Sequence, residues 1–290
     1  MKQLTVISGK GGTGKTSITA AFASLANNAV FADCDVDAAD LHLILKPRIK
    51  KTMSFHGLKI ASIDEEDKCI NCMKCYENCR FNAIDEEINV IEERCEGCGV
   101  CVYVCPTKAI ELKDRESGFL YISETRFGPM SHAILKTAEE ASGKLVTMVR
   151  ENAKKLALEE KKDLIIIDGP PGIGCPVISA ITGVDLVLIV TEPTLSAIHD
   201  LKRVFDVAKH FDIPSTVLIN KYDINIDNTN DIIDFCSEND IPIVGRLPYD
   251  EIVTKAMVDG KTIIEYSNGE FPNRIKEIWM KTHSFLNRGV

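Results

Sequence analysis

The chain has 290 residues, of which 45% are hydrophobic and 27% charged, and its formal net charge is -9 at pH 7. This composition is typical of a soluble globular protein and excludes the disordered and fibrous classes. The length suffices for one large α/β domain with an insertion, or for two ordinary domains. An acidic chain is a poor general binder of nucleic acid, so we expect no nucleic-acid partner.

The N-terminus leads directly into an apolar strand without a signal region, and no stretch approaches the roughly 18 apolar residues of a spanning helix. We therefore expect a cytoplasmic protein. Eleven cysteines are present, and a reducing compartment favours metal ligands over disulfides for them. Eight lie between Cys69 and Cys105, and the others are Cys34, Cys175 and Cys236.

The first strand-like run, Gln3 to Ile7, leads into Ser-Gly-Lys-Gly-Gly-Thr-Gly-Lys-Thr at Ser8 to Thr16 and then into a helix-like run. Gly, four residues, Gly-Lys-Thr is the phosphate-binding loop pattern; the alternative is an ordinary glycine turn. Backbone N–H groups and the helix N-terminus can surround a phosphate, while Lys15 and Thr16 meet the phosphate and a magnesium ion. The expected nucleotide contacts are Gly9, Gly11, Gly12, Thr13, Gly14, Lys15, Thr16 and Ser17.

Short apolar runs recur outside the cysteine-rich segment, each followed by a longer helical pattern. Their largely unbroken apolar character favours strands covered on both faces, and thus a doubly wound α/β fold with a mostly parallel sheet. Ligands then belong at the carboxyl ends of the strands. The predicted strands are Leu4 to Ile7, Ala29 to Ala32, Leu164 to Ile167, Leu186 to Val190, Thr216 to Ile219 and Ile241 to Val244.

Lys10, directly after Gly9, is unusual for a simple phosphate loop. The run from Lys10 to Thr16 resembles the deviant loop of the MinD/ParA superfamily, which includes the nitrogenase iron protein and Mrp-type iron-sulfur carriers. The resemblance implies an ATPase that binds ATP or ADP with Mg²⁺ in a nucleotide-dependent homodimer. In such a dimer Lys10 and Lys15 act at the phosphates, with Lys10 reaching the nucleotide of the partner; the alternative for Lys10 is a solvated loop lysine.

Two further motifs resemble the nucleotide switches of this family. The second strand ends in Asp-Cys-Asp, where the match implies that Asp35 orients or deprotonates the attacking water and that Asp33 supports the magnesium shell. The strand 164–167 leads into Asp-Gly-Pro-Pro-Gly, as in Mrp-type members. Asp168 would hold a magnesium-bound water, and Gly172 would donate its N–H to the terminal phosphate.

The base-binding residues are also implied by resemblance. Asn220-Lys221 resembles the purine-contacting pair of the family, and Pro248-Tyr249-Asp250 resembles its adenine-lining loop. Asn220 offers both a donor and an acceptor to an adenine edge. For Asp250, adenine contact and helix N-capping both remain open. The choice of ATP over GTP rests on the resemblance.

Two cysteine tetrads share the spacing two, two, three, which is the bacterial two-cluster ferredoxin pattern. In that pattern three close thiolates bind one cube and the distant fourth cysteine completes the other. Two [4Fe-4S] clusters are expected, with structural zinc as the alternative. The first set is Cys69, Cys72, Cys75 and Cys105, and the second is Cys95, Cys98, Cys101 and Cys79. Arg80 follows Cys79, where ferredoxins usually have proline.

The cysteine segment is flanked by two predicted strands, Leu58 to Ile63 and Phe119 to Ser123. We expect an inserted ferredoxin-like domain at 58–121 on a β stem, and a phosphate-loop ATPase domain at 1–57 and 122–290. Residues 64–113 hold twelve acidic and six basic side chains. A solvated acidic surface is the default interpretation; steering of a basic partner is the alternative.

The C-terminal segment places Phe271, Ile275, Ile278, Trp279 and Phe285 near one helical face. Such a stripe either packs on the sheet or lies on a membrane surface. We expect packing, because most apolar stripes on helices belong to a core. No membrane partner is therefore expected.

Three functions remain open at this stage. The preferred one is an ATPase whose dimer closure gates low-potential electron transfer through the two clusters to an unidentified protein or metallocofactor acceptor. The second is a carrier or scaffold for iron-sulfur or metallocofactor assembly that serves an apo-protein. It is suggested by the Mrp-like switch and by Cys175, for which a structural role is the alternative. The third is a positioning switch like MinD or ParA, which the acidic charge disfavours.

Overall fold

The computed structural model describes residues 1–63, 68–136 and 143–288. The chain divides into two compact units. Unit 1 comprises Met1–Met53, Leu120–Ile134 and Ala141–Val290, and unit 2 comprises Ser54–Phe119 and Leu135–Glu140. Unit 2 thus begins a few residues before the insert predicted at 58–121, and it takes in a second, later segment.

Strands and helices alternate through most of unit 1. The strands are β1 (Lys2–Ser8), β2 (Ala29–Asp33), β3 (Arg48–Ser62), β4 (Glu111–Thr125), β5 (Gly128–Leu135), β6 (Leu164–Pro171), β7 (Leu186–Thr191), β8 (Ser215–Asn220) and β9 (Ile243–Leu247). The helices are α1 (Lys15–Leu25), α2 (Leu41–Leu45), α3 (Lys74–Glu77), α4 (Val100–Val104), α5 (Gly143–Glu159), α6 (Cys175–Ile181), α7 (Leu195–His210), α8 (Ile226–Glu238), α9 (Ile252–Val258), α10 (Ile263–Tyr266) and α11 (Glu270–Arg288).

The strand order in the sheet is β3-β4-β5-β2-β6-β1-β7-β8-β9. From β5 to β9 the neighbouring strands run parallel. Only two residues, Arg126 and Phe127, connect β4 to its neighbour β5, so this pair is antiparallel. The prediction of a doubly wound, mostly parallel α/β fold is confirmed.

The register of the central strands positions the two switch motifs. Asp33, the last residue of β2, pairs with Asp168 of β6, and Asp168 also pairs with Val6 of β1. The phosphate loop follows β1 at the same carboxyl edge of the sheet. Parallel pairing therefore brings the second switch motif at Asp168 beside the phosphate loop and Asp33, which lie more than 100 residues earlier in the chain.

The apolar stripe of α11 packs on the core of unit 1, as expected. Phe271, Ile275 and Ile278 are buried in it, and Trp279 lies against Phe22 of α1 with ring centroids 4.9 Å apart. The helix comes so close to β9 that a Cβ on Gly245 would lie 2.4 Å from Cγ1 of Ile278. Among the described residues, no helix has the length and apolarity that crossing a bilayer requires.

Unit 2 has a small core of its own. Ala61, Ile84 and Ile110 are buried there beside Cys75 and Ile88. Ile84 bridges Val90 in an antiparallel pair. Two of the cysteines, Cys75 and Cys101, lie on the short helices α3 and α4.

Some elements differ from the predicted bounds. The strand β5 was not predicted, because Gly128 and Pro129 indicate a turn and the polar Ser131 and His132 interrupt its apolar run, although both are buried. The strand β3 begins at Arg48, ten residues before the predicted start at Leu58. Its first residues are exposed and mostly polar, a pattern that is typical of a loop. The last strand begins at Ile243, two residues later than expected.

Candidate functional site

Two glycines of the phosphate loop are required for different reasons. Gly14 has φ +91°, and a Cβ there would lie 2.5 Å from Nδ2 of Asn220. Gly9 has no such backbone requirement, but a Cβ there would lie 2.4 Å from Cβ of Asp200 on α7. Gly14 therefore shapes the loop itself, whereas Gly9 allows the loop to pack against α7.

A cleft of about 370 Å³ opens beside the loop at the carboxyl edge of the sheet. Tyr249 of the predicted adenine-lining loop forms part of its apolar wall, together with Val253 and Met257, which the sequence motifs did not indicate. The predicted site residues that line it are Gly11, Gly12, Thr13, Gly14, Lys15, Thr16, Ser17, Asp35, Asn220, Lys221, Pro248 and Asp250. The predicted site residues outside its lining are Gly9, Lys10, Asp33, Asp168 and Gly172.

The end of β8 is tied to the phosphate loop. Asn220 Nδ2 donates to the carbonyl oxygen of Thr13 at 2.8 Å, and Lys221 Nζ donates to that of Gly12 at 3.0 Å. The amide oxygen of Asn220 accepts from the backbone N–H of Lys221. These bonds fix the predicted base-binding pair relative to the predicted phosphate-binding backbone.

The loop at Pro248-Tyr249-Asp250 forms the other side of the cleft. Asp223, which the sequence did not single out, accepts a hydrogen bond from the backbone N–H of Tyr249 at 2.7 Å. Asp250 accepts from the backbone N–H of Ile252 at 2.9 Å, a bond local to the start of α9. The Asp250 side chain thus serves the local turn, and Asp223 positions the loop.

Lys15 is buried among carboxylates. Its Nζ lies 2.8 Å from Asp35 Oδ2 and 3.3 Å from Asp168 Oδ1. Burial opposes the charged form of the lysine, but the carboxylates of Asp168 and Asp35 outweigh that effect and raise the pKa of its ammonium. Burial also raises the pKa of Asp35, although Lys15 opposes this.

Asp33 completes this acidic group. Burial, together with the charge of Asp168, raises the pKa of Asp33 well above its usual range. Three carboxyl groups therefore share one ammonium in a buried place. An additional cation would relieve the excess of negative charge.

Several oxygen atoms of the site residues are suitable ligands for a hydrated magnesium ion. Within residues 1–63, 68–136 and 143–288, three buried oxygens without a hydrogen-bond partner belong to site residues: Asp33 Oδ2, Asp168 Oδ2 and Thr13 Oγ1. Unsatisfied buried oxygens are costly, and Mg²⁺ with its waters prefers such hard donors. Thr16, at the cleft, is the expected direct ligand.

Gly172, predicted to donate its N–H to a terminal phosphate, forms a hydrogen bond within its own chain. Its N–H donates to the carbonyl oxygen of Ser8 at 2.9 Å, and its φ is +93°. Contact with a terminal phosphate requires this bond to break. A Cβ on Gly172 would meet nothing within 4 Å, so its positive φ, rather than close packing, is the reason for glycine.

Lys10 is held by residues of its own chain. Its Nζ lies 2.7 Å from Glu192 Oε1 and donates to the hydroxyl oxygen of Thr194 at 3.0 Å. The second oxygen of Glu192 lies 2.8 Å from Lys221 Nζ. Hydrogen bonds from Lys10 and Lys221 outweigh the effect of burial and lower the pKa of Glu192. No sequence motif marks Glu192, whose partners Lys10 and Lys221 are distant from it in the chain.

In unit 2 the eight cysteines surround two separate small cavities with apolar walls. Each cavity takes three cysteines from one tetrad and one from the other. One is lined by Cys69, Cys72, Cys75 and Cys105. The other is lined by Cys79, Cys95, Cys98 and Cys101. These are the two sets that the ferredoxin spacing implies.

The donor sets suit iron-sulfur cubes. In a cube each thiolate binds a different iron, so the four sulfurs need not converge on one point. No three His, Cys, Asp or Glu side chains of the described residues are placed to hold a single metal ion. Among the described residues, backbone N–H groups donate to the sulfurs of Cys79 and Cys105 from Ala83 and Ala109, each at 3.3 Å, and to that of Cys95 from Ala61 at 3.5 Å. Such bonds stabilise thiolates around a cluster.

The three remaining cysteines belong to unit 1. Cys34 and Cys236 are buried, as expected for core thiols, and burial raises the pKa of Cys236 to about 12. Cys175 is exposed at the first position of α6, shortly after the second switch motif. Burial in a core therefore does not account for Cys175.

Comparison with known proteins agrees with this geometry. A family model described as the CobQ/CobB/MinD/ParA nucleotide binding domain matches residues 4–263. An uncharacterised protein of Methanocaldococcus jannaschii is 37% identical over 288 residues, which cover 98% of this chain and 97% of that protein. The MinD structure of Pyrococcus horikoshii, complexed with Mg-ADP, has a TM-score of 0.61 at 17% identity and covers 100% of this chain and 98% of its own.

A shorter match covers only a small part of the chain. A 49-residue segment, 17% of this chain, is 41% identical to 60% of pyruvate synthase subunit PorD from Methanothermobacter marburgensis. The family model, in contrast, spans most of the chain. The chain therefore belongs to the CobQ/CobB/MinD/ParA nucleotide-binding family and is an ATPase of the MinD/ParA type.

Proposed function

We propose that ATP-dependent dimer closure in this ATPase gates low-potential electron transfer through two [4Fe-4S] clusters to a protein or metallocofactor acceptor. The observation that carries this proposal is the sorting of eight cysteines into two sets of four, each around its own cavity. This unit is inserted between the first and second switch motifs of the ATPase. The redox unit is therefore joined through the chain to both switches.

At the nucleotide site, Lys15 has two competing partners. When a β- or γ-phosphate binds, Lys15 exchanges Asp35 for the phosphate, and Asp35 becomes available to position the attacking water. Thr16, Asp33 and Asp168 would hold the magnesium ion and its waters. Asn220 would contact the base, and Tyr249 and Met257 would pack beside it.

In unit 2, the two cysteine sets would each hold one cube. A [4Fe-4S] cluster supplies reversible one-electron transfer when it is bound. The apolar walls, with Ile84 at one cavity and Ile110 at the other, would limit water around the sulfurs. Cys72 and Cys98 are the exposed members of their sets and mark a side open to a redox partner.

The dimer supplies the remaining catalytic group. Lys10 would leave its own chain and reach the nucleotide of the partner, as the deviant phosphate loop implies. In the single chain Lys10 does not line the cleft and is occupied by Glu192 and Thr194. Hydrolysis should therefore depend on protein concentration, because only the closed dimer has a complete site.

Anaerobic purification followed by iron counting and EPR, with and without Mg-ATP, tests the proposal. We expect about eight irons per chain, a reduced [4Fe-4S] signal, and a change in that signal or its rate of appearance when Mg-ATP is added. Absence of iron, or stoichiometric zinc in its place, would exclude electron transfer by this unit.

A cluster carrier is the second candidate, and the exposure of Cys175 beside the second switch favours it. In this case a labile cluster should move to an apo-protein during incubation, and Cys175→Ser should slow the transfer. Complete retention of iron, with no effect of C175S, would exclude the carrier role.

A further inference from the structure

Glu192 follows β7 and bridges two lysines of the nucleotide site. Its Oε1 lies 2.7 Å from Lys10 Nζ, and its Oε2 lies 2.8 Å from Lys221 Nζ. The Glu192 side chain is only 10% exposed, and the two lysines are 29% and 28% exposed. One carboxylate therefore pairs with two cations in a partly desolvated place, where ion pairs are stronger than on an open surface.

The three ammonium donors of Lys10 all have acceptors within its own chain. Besides Glu192, they are the hydroxyl oxygens of Thr194 at 3.0 Å and Ser196 at 3.3 Å. Thr194 is itself fixed, because its hydroxyl oxygen caps α7 by accepting from the N–H of Ala197. The lysine is thus directed toward the start of α7, outside the lining of the cleft.

Lys221 connects the carboxylate of Glu192 to the nucleotide site. Its Nζ donates to the carbonyl oxygen of Gly12 as well as to Glu192. Glu192 therefore connects the loop lysine, Lys10, with the base-side pair that contains Lys221.

We infer that Glu192 is a positioning residue that stores Lys10 in the single chain and releases it when two chains close on nucleotide. The inference rests on the proposed function, because Lys10 needs a second position only if it reaches a partner's nucleotide. Breaking a buried ion pair is normally costly, since it leaves an unpaired charge. Here Lys221 remains on Glu192 after Lys10 leaves, and the cost of release is reduced.

Amine labelling of the nucleotide-free protein tests the storage directly. An acetylating reagent modifies a lysine only after its nitrogen has left its acceptors, and mass spectrometry gives the rate at Lys10. We expect Glu192→Gln to label Lys10 about tenfold faster than the wild type, and Glu192→Asp to restore most of the protection. The matched control is Glu251→Gln, which removes the partner of the exposed Lys255 and should leave Lys10 unchanged.

Lys221→Met should have the opposite effect. With one cation fewer, Glu192 holds Lys10 more strongly, so labelling of Lys10 should slow by about threefold. This second variant keeps the inference testable if Glu192→Gln fails to fold. Equal Lys10 labelling rates in the wild type and in the folded variants would overturn the role of Glu192.

Dimerisation tests the release. With a non-hydrolysable Mg-ATP analogue, sedimentation should show a dimer Kd about fivefold lower for Glu192→Gln than for the wild type, and the difference should vanish in a Lys10→Ala background. Persistence of the difference without Lys10 would contradict the inference. A wild type that stays monomeric would instead contradict the proposed dimer, whereas the labelling rates judge Glu192 independently.

Discussion

The Nζ atom of Lys15 lies 2.8 Å from Oδ2 of Asp35, so the residue expected at the phosphate and the residue expected at the attacking water neutralise each other. A second carboxylate, Asp168, lies 3.3 Å from the same ammonium. Lys10 has an equivalent arrangement with Glu192. Both loop lysines are therefore paired with carboxylates of their own chain, and a phosphate must compete with these pairs.

Asp35→Asn should separate nucleotide binding from hydrolysis. It removes the negatively charged carboxylate that would position or deprotonate the water, and we expect kcat to fall about 100-fold or more. ATP affinity should stay the same or increase, because Lys15 loses a competing partner. Steady-state hydrolysis and equilibrium binding measure the two effects. Asp37→Asn, an exposed site two residues further on, is the control; wild-type turnover in D35N would contradict the role of Asp35.

Two glycine substitutions in the phosphate loop should differ sharply in their effect on ATP affinity. Gly14→Ala places a Cβ 2.5 Å from Asn220 Nδ2 at a φ of +91°, whereas Gly11 has open space and no such φ. We expect G14A to weaken ATP binding at least tenfold and to cost about 1–2 kcal/mol of stability. G11A should change affinity by less than about threefold. Calorimetric titration compares them, and similar affinities would exclude this loop conformation in the bound protein.

The cysteine sets predict which irons are lost together. Cys79 lines the cavity of Cys95, Cys98 and Cys101, although it lies nearer in sequence to Cys75. Cys79→Ala and the double variant C79A/C98A should therefore each lose the iron of one cluster, about four atoms. C75A/C98A should lose about twice as much.

Iron counting with EPR of each variant makes this comparison. Cys236→Ala, at a buried thiol of unit 1, is the control and should keep all the iron. Loss of two clusters in C79A/C98A would instead show that each tetrad binds its own cluster.

The buried His132 should make the folding stability of unit 1 sensitive to acid. Burial, and secondarily the nearby His42, lower the pKa of His132 to about 4. Its pKa in the unfolded chain is about 6.5. Between these values the unfolded chain binds a proton that the native chain excludes, so stability is present above pH 6.5 and is lost as the pH falls toward 4. His132 alone should lower the free energy of unfolding by about 2 kcal/mol between pH 7 and pH 5.

Urea unfolding followed by the fluorescence of Trp279, the single tryptophan, measures this loss. His132→Gln should show a correspondingly weaker dependence on pH. The exposed His199→Gln is the control and should behave as the wild type. An unchanged pH dependence in H132Q would rule out the assigned role of His132.

The fold was accessible from the sequence because buried parallel strands leave unbroken apolar runs, as at Leu164 to Ile167. The same signal fails for β5, where Ser131 and His132 are buried but polar. His132 is stabilised there by a hydrogen bond to Ser123 at 2.9 Å. Such a bond is a tertiary contact and leaves no periodic pattern.

The residues of the nucleotide site also divide into those that a sequence motif identifies and those that only tertiary contacts identify. Phosphate-loop residues are contiguous and have fixed spacing, so a motif identifies them. Glu192 and Asp223 act only through distant partners, Lys10 and Tyr249, and a lone acidic residue after a strand has no distinguishing spacing. The ion pair between Asp35 and Lys15 could not be predicted from the motifs either. Each motif assigns its residue to the nucleotide, and neither indicates that the two side chains bind each other.

The central claim is that nucleotide state controls the redox centres. EPR-monitored redox titration and stopped-flow reduction, each without nucleotide, with Mg-ADP and with a non-hydrolysable Mg-ATP analogue, test it most directly. We expect the ATP state to shift the potential of at least one cluster by about 60 mV or to change its electron-transfer rate about tenfold. Lys15→Ala should abolish this response. Identical potentials and rates in all three nucleotide states would contradict the claim.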